Sequence, residues 1–200
     1  MKKALIVLTE AYADWEVSYI APELAMTQQF EINTVSLESP QVTSIGQLKT
    51  NIDYTIDQVT EPFDALIIIG GNSWGNLEDD RLLNLIRTSL DNNVVVGAIC
   101  GAVDYFARNG LLTGFKHTGN DQKHWTTETY NQYINYEDFI VQDSVRDRHL
   151  ITSNGSNSID FCFNILEALN VIDSEQAEQN KTFYKLGYTA YKEKYGEIGG

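Results

Sequence analysis

The sequence predicts an α/β fold of the flavodoxin-like type, a mostly parallel sheet with helices on both faces, carrying a nucleophile elbow and an extra C-terminal helix. Three observations point there. Four apolar runs of strand length, Ala4 to Leu8, Ile32 to Leu37, Ala65 to Ile69 and Val94 to Ile99, recur along the chain. Amphipathic helical patterns alternate with them, as a parallel sheet covered by helices requires. The last run, Val94-Val95-Val96-Gly97-Ala98-Ile99, leads straight into Cys100-Gly101-Ala102 and a further helical pattern.

The elements follow in order. After the first strand, a helix is expected from near Asp14, carrying Val17, Ile20 and Leu24 inward, with Pro22 kinking or delaying it. The segment Leu77 to Leu90 places Leu82, Leu83, Leu85, Ile86 and Leu90 at helical spacing, and Asp91-Asn92-Asn93 closes it. A helix from about Ala102 to Ala107 follows the elbow. Beyond Gly110 regularity weakens, with minor strand signals at Phe139 to Val141 and His149 to Thr152, and this stretch is suited to loops over a pocket. A helix from about Ser156 to Leu169 presents Ile159, Phe163, Leu166 and Leu169, with Ser156 or Ser158 as its cap. In the tail, Tyr184, Tyr188, Tyr191 and Tyr195 fall on one helical stripe, a docking face for the chain's own domain or for a partner subunit. The expected division is one domain over residues 1–172 and a helical extension over 173–200.

Composition narrows the function classes. Among 200 residues, 14 Lys and Arg stand against 28 Asp and Glu, a net charge of −14 that repels phosphate backbones and anionic membranes. Nucleic acid and membrane are therefore not expected partners. The apolar run after Met1-Lys2-Lys3 stops at Thr9-Glu10, too short for a signal peptide or a membrane span, so a cytoplasmic location is expected. The 2 cysteines lack metal-ligand spacing, and reduced thiols are expected, with neither metal nor cofactor.

Cys100 sits where a strand reverses into a helix, between small residues that let the backbone turn tightly. The amides opening that helix would favour its thiolate. The other reading is a small buried cysteine packed like alanine. Ligands of α/β sheets bind at the carboxyl ends of the strands, which directs attention to the loops after Leu8, Ile69 and Ile99. In the first, Glu16 falls within reach of Cys100, although Asp14 and Glu16 also suit the cap and dipole of a helix start. In the second, Gly70-Gly71 allows close backbone approach and leaves an amide to bond an oxyanion, although a tight turn explains the pair as well. Cys162, in Phe161-Cys162-Phe163, reads as a buried structural thiol.

Taken together, Phe63-Asp64-Ala65-Leu66-Ile67-Ile68-Ile69-Gly70-Gly71, the elbow Gly97 to Ala102, and Thr152-Ser153-Asn154-Gly155 leading into Ile159-Asp160-Phe161 resemble the ThiJ/PfpI superfamily, also known as DJ-1/PfpI, of the class I glutamine amidotransferase-like fold. The resemblance spans roughly residues 2 to 170. It implies a reactive Cys100 with Glu16 held against it. Protease-like members carry histidine directly after the nucleophile, whereas this chain has Gly101. Others bring a histidine from a later loop, and His117, His124 and His149 are the candidates here. Proteolysis and classical glutaminase activity, the latter for lack of a late His-x-Glu pair, are not expected.

The reading that results is a cysteine-dependent hydrolase, amidase or glyoxalase-like enzyme for a small carbonyl or amide substrate. Cys100 attacks, Glu16 shuttles the proton, and the amides of Gly71 and Gly101 stabilise the oxyanion. The alternatives are a redox or electrophile stress sensor using reversible oxidation of Cys100, and a binding module with an idle cysteine. The family resemblance also implies a homodimer.

Overall fold

A computed structural model describes residues 1–60 and 62–197. Residues 198–200 of the expected C-terminal extension lie outside the described residues. In chain order the elements are β1 (Lys2–Val7), α1 (Asp14–Val17), α2 (Ile20–Met26), β2 (Phe30–Ser36), β3 (Gln41–Thr43), β4 (Lys49–Asn51), β5 (Tyr54–Thr55), β6 (Ala65–Ile68), α3 (Asp80–Asp91), β7 (Val95–Ile99), α4 (Gly101–Arg108), β8 (Ser144–Asp147), β9 (Leu150–Ser153), α5 (Ser158–Ala168) and α6 (Ser174–Tyr195).

The apolar runs become the centre of a seven-stranded sheet of order β5-β2-β1-β6-β7-β9-β8, in which every pairing is parallel except the antiparallel edge pair β8 and β9. Strand side chains alternate between faces, and both faces of the central strands are covered, which is why β6 is apolar and buried at every position. Strand β2, nearer the edge, keeps Glu31, Asn33 and Thr34 at least partly exposed. Leu5, Val7, Leu66, Ile68, Val96 and Ala98 pack on one side with Leu82 and Ile86 of α3 and Val103 and Phe106 of α4. Ala4, Ile6, Ala65, Ile67 and Ile99 pack on the other with Ile20 and Leu24 of α2 and Phe161 and Ile165 of α5. Fully burying one such Leu or Ile is worth roughly 1.5–3 kcal/mol. The arrangement is the flavodoxin-like α/β fold with an additional C-terminal helix.

Several local expectations are corrected. The first helix is two, because α1 stops after Val17 and the chain restarts at Ile20. Pro22 then lies in the first turn of α2, where its missing N–H costs no helical hydrogen bond. Asp14 does not cap α1; its Oδ2 accepts the N–H of Gly46 at 2.7 Å and ties α1 to the turn between β3 and β4. The cap of α5 is Asn157, which accepts the Asp160 N–H, and neither Ser156 nor Ser158 takes that role. Residues 139–141 form no strand, and Phe139 makes only an isolated bridge with His117. The edge strands β3, β4, β5 and β8 have two to four residues each, too few for a periodic signal.

The tyrosine stripe is interrupted. Gly187 in the left-handed region (φ 85°, ψ 167°) breaks α6 between Tyr184 and Tyr188, so one helical register does not hold throughout. Tyr184 docks on the chain itself, stacking on Phe163 at 5.9 Å and donating to Glu23 Oε1 at 2.6 Å. Tyr188 stays exposed.

Candidate active site

In the sheet β1, β6, β7 and β9 are consecutive parallel neighbours, so the loops that follow them gather at one carboxyl edge. The site lies there. Glu16 enters it from α1, Gly70 and Gly71 from the end of β6, Cys100 from β7, and Gly155 from the loop after β9.

Cys100 has φ 58° and ψ −126°, a left-handed conformation that costs a non-glycine residue of order 1–3 kcal/mol and is stable only when its surroundings enforce it. They do so from both sides: its N–H extends the β7 ladder to Ser153 O at 3.0 Å, and its carbonyl accepts Val103 N–H at 2.9 Å to open α4. The strand-to-helix reversal read from the sequence is therefore present, and the side chain is half-buried.

Glu16 is fully buried. Its Oε2 accepts the Gly70 N–H at 2.7 Å. Oε1 has no hydrogen-bond partner among the described residues, and the carboxyl lies beside the Cys100 thiol. Burial pushes the Glu16 carboxyl up to about 7, against the opposing pull of the thiol and the Gly70 amide. The Cys100 thiol is pushed up to about 11 by burial and then by the Glu16 charge, which outweigh the Asn120 amide and the Gly101 N–H. The helix start alone does not make a thiolate here, contrary to the sequence expectation. The two groups titrate as a pair, and protonating Glu16 is what relieves the sulfur of its neighbouring charge.

Two glycines permit this closeness. A Cβ on Gly70 would lie 2.6 Å from Cys100 Cβ, Glu16 Oε2 and Ile99 O, and one on Gly155 would lie 2.6 Å from Cys100 Sγ and 3.1 Å from Glu16 Oε1. The loop after β1 clasps the glycine pair, with Ala13 N–H bonded to Gly70 O and Asn72 N–H to Ala11 O, both at 3.0 Å. The Gly71 N–H between them meets no acceptor among the described residues. The Gly101 N–H is directed at Cys100 Sγ.

None of the three candidate histidines hydrogen-bonds to the sulfur. His117 is fully buried among Trp125, Tyr133 and Phe139, with Nδ1 against Phe115 O and Nε2 against Tyr133 OH, both at 2.8 Å. Burial holds it below the usual imidazole range. His124 is exposed, and His149 packs edge-on against Phe115. The side chain that does reach Cys100 from this region is Asn120, whose Nδ2 donates to Sγ at 3.4 Å. Sequence reasoning missed it. The signal was its place in Lys116-His117-Thr118-Gly119-Asn120, the segment inspected for its histidine. Asn120 and Asn154 also line a cleft of about 500 Å³ with Gln122, Gln142 and the charged Asp121, Lys123 and Asp143, and this polar cavity adjoins the cysteine through Asn120. Cys162 is fully buried in α5 and its thiol is pushed well up, as expected of a structural cysteine. Among the described residues no group of acids, histidines and cysteines is arranged to hold a metal ion, and no helix is long and apolar enough to cross a membrane.

Comparison with known proteins identifies relatives of this sequence and fold. The chain is 40% identical over 196 residues to a Bacillus subtilis (strain 168) protein named "Uncharacterized protease YdeA", covering 98% of each. Its fold superposes with a TM-score of 0.84 on the DJ-1 superfamily protein Atu0886 from Agrobacterium tumefaciens, at 29% identity over 93% of this chain and 99% of that one. A thiJ/pfpI family protein from Bacillus anthracis gives a TM-score of 0.86 at 26% identity, covering 95% of this chain and 93% of the other. The model of the DJ-1/PfpI family matches residues 2–168, and the chain belongs to that family.

Proposed function

We propose that this protein is a cysteine-dependent enzyme, a hydrolase, amidase or glyoxalase-like catalyst acting on a small carbonyl or amide substrate through Cys100 and Glu16. The observation that carries the reading is the strained Cys100 backbone with a fully buried carboxyl group held against its sulfur. Burying a carboxyl with one oxygen lacking an ordinary donor is costly, and the arrangement places a proton acceptor beside a nucleophile.

In the proposed reaction the thiol proton passes to Glu16 as the sulfur attacks the substrate carbon. An S–C bond forms, and the carbonyl π electrons move onto oxygen. The free amide of Gly71 and the amide of Gly101, released from the sulfur as its charge is consumed, bond that oxyanion. Glu16 then returns the proton. For an amide it goes to the departing amine as the C–N bond breaks, leaving an S-acyl enzyme that a water, deprotonated by Glu16, hydrolyses to the acid and the free thiol. For an aldehyde it goes to the alkoxide, giving a thiohemiacetal. A carboxyl that titrates near 7 gives and takes protons at neutral pH. The cleft, lined by amides together with Asp121, Lys123 and Asp143, suits a small polar molecule. The relative's name is compatible with hydrolysis, but the absence of a histidine bond to Cys100 argues against a Cys-His protease mechanism.

The test compares wild type and Cys100→Ser for turnover of methylglyoxal, simple amides and esters. Loss of turnover in the variant is expected; equal turnover overturns the proposal.

The histidine-free sulfur also favours a second reading, a sensor in which peroxide oxidises Cys100. The thiolate attacks peroxide, the O–O bond breaks, and a sulfenic acid and hydroxide result. Peroxide-dependent mass gain on Cys100, with no turnover of any tested substrate, would select it.

A further inference from the structure

The Asn120 side chain is exposed yet held at both ends. Its Oδ1 accepts the Gly155 N–H at 2.9 Å while its Nδ2 donates to Cys100 Sγ at 3.4 Å. The orientation of the amide follows from chemistry: a backbone N–H only donates, so the carbonyl end must face Gly155, and the NH₂ end is left to face the sulfur. The Gly155 peptide is itself clamped, because its carbonyl accepts the Trp15 indole N–H at 2.9 Å. Trp15 lies on α1 beside Glu16, so a single connected set of bonds positions both the carboxyl and the amide around Cys100. The polar groups directed at the sulfur among the described residues are then Glu16, the Gly101 N–H and Asn120.

Resting on the cysteine-enzyme reading above, we propose that Asn120 is a further catalytic residue, a neutral hydrogen-bond donor to the Cys100 thiolate. An amide donates a hydrogen bond to sulfur without exchanging its proton. Glu16 is therefore the one side chain at the sulfur that carries protons, both when the thiolate forms and when the product leaves. Trp15 and Gly155 act through Asn120 as positioning residues.

The experiment measures the iodoacetamide alkylation rate of Cys100 against pH in wild type, Asn120→Ala, Asn120→Asp and Trp15→Phe, with turnover and that of Cys100→Ser measured in parallel. Asn120→Asp keeps an oxygen for the Gly155 N–H but sets a negative charge beside the sulfur. Its profile should move to higher pH, and its rate at neutral pH should fall about tenfold for each unit moved. Asn120→Ala should move the same way by less, and Trp15→Phe by less again. A wild-type profile in Asn120→Asp would overturn the inference, since that variant preserves the bond a merely structural role needs. Full turnover by Cys100→Ser would instead overturn the enzyme reading, whatever the alkylation profiles show.

Discussion

The Glu16 carboxyl and the Cys100 sulfur share one buried spot, roofed by Gly155, in which a Cβ on Gly155 would touch both. One proton serves the pair, and its position decides whether the sulfur is a nucleophile. Glu16→Gln removes the charge that raises the thiol and keeps an oxygen for the Gly70 N–H. Alkylation of Cys100 at pH 7 should rise about tenfold or more, because each unit by which the thiol falls is tenfold in thiolate. Turnover should fall by about 10² or more, since the glutamine amide neither takes up nor releases a proton. Measuring both on one preparation checks the assignment; parallel changes in the two rates would contradict it.

The same carboxyl makes stability depend on pH. Its folded value near 7 lies above its ordinary 4.5, so the folded state binds more protons between the two. The stabilising contribution is fully present below about pH 4.5 and is lost as pH rises through 7. Urea unfolding of wild type should show a decline of about 3 kcal/mol across that window that Glu16→Gln lacks. At pH 8 the variant should be the more stable protein.

Gly155→Ala should disable the site without removing any reactive group. The new methyl would lie 2.6 Å from Cys100 Sγ and 2.9 Å from its Cβ, too close for either to stay in place. A destabilisation of about 1–3 kcal/mol is expected. Loss of Cys100 alkylation at pH 8, in protein still folded by circular dichroism, is the accompanying signature.

His117 belongs to packing. With both ring nitrogens bonded and the ring enclosed by aromatic side chains, His117→Ala should cost about 2–4 kcal/mol in chemical denaturation. The pH profile of Cys100 alkylation should stay at the wild-type position. His124→Ala should change neither quantity.

How much was legible follows from the range of each signal. The strands β1, β2, β6 and β7 are bounded within about two residues by their apolar runs, most cleanly β6 and β7, whose burial at every position leaves no alternation to misread. The elbow is legible because Gly97, Ala98, Gly101 and Ala102 flank one cysteine at a strand end. From local pattern Glu16 was one acid among several in a helix start, and the family resemblance is what singled it out as the acid held against Cys100. That Asn120, Gly155 and Trp15 meet was not legible, since they are joined by bonds 35 and 140 residues apart in sequence.

By itself, then, the sequence determined the parallel α/β sheet, the family resemblance and the strand-to-helix reversal at Cys100, all properties of apolar periodicity and small residues in short windows. Only the tertiary structure decided what surrounds the sulfur. It showed Asp14 bonded to Gly46, Glu16 turned inward to the thiol, His117 turned away into an aromatic cluster, and Asn120 turned toward Cys100. It also decided the sign of the thiol's shift, because burial and a neighbouring charge depend on which loops converge, and a helix start read from sequence contains neither.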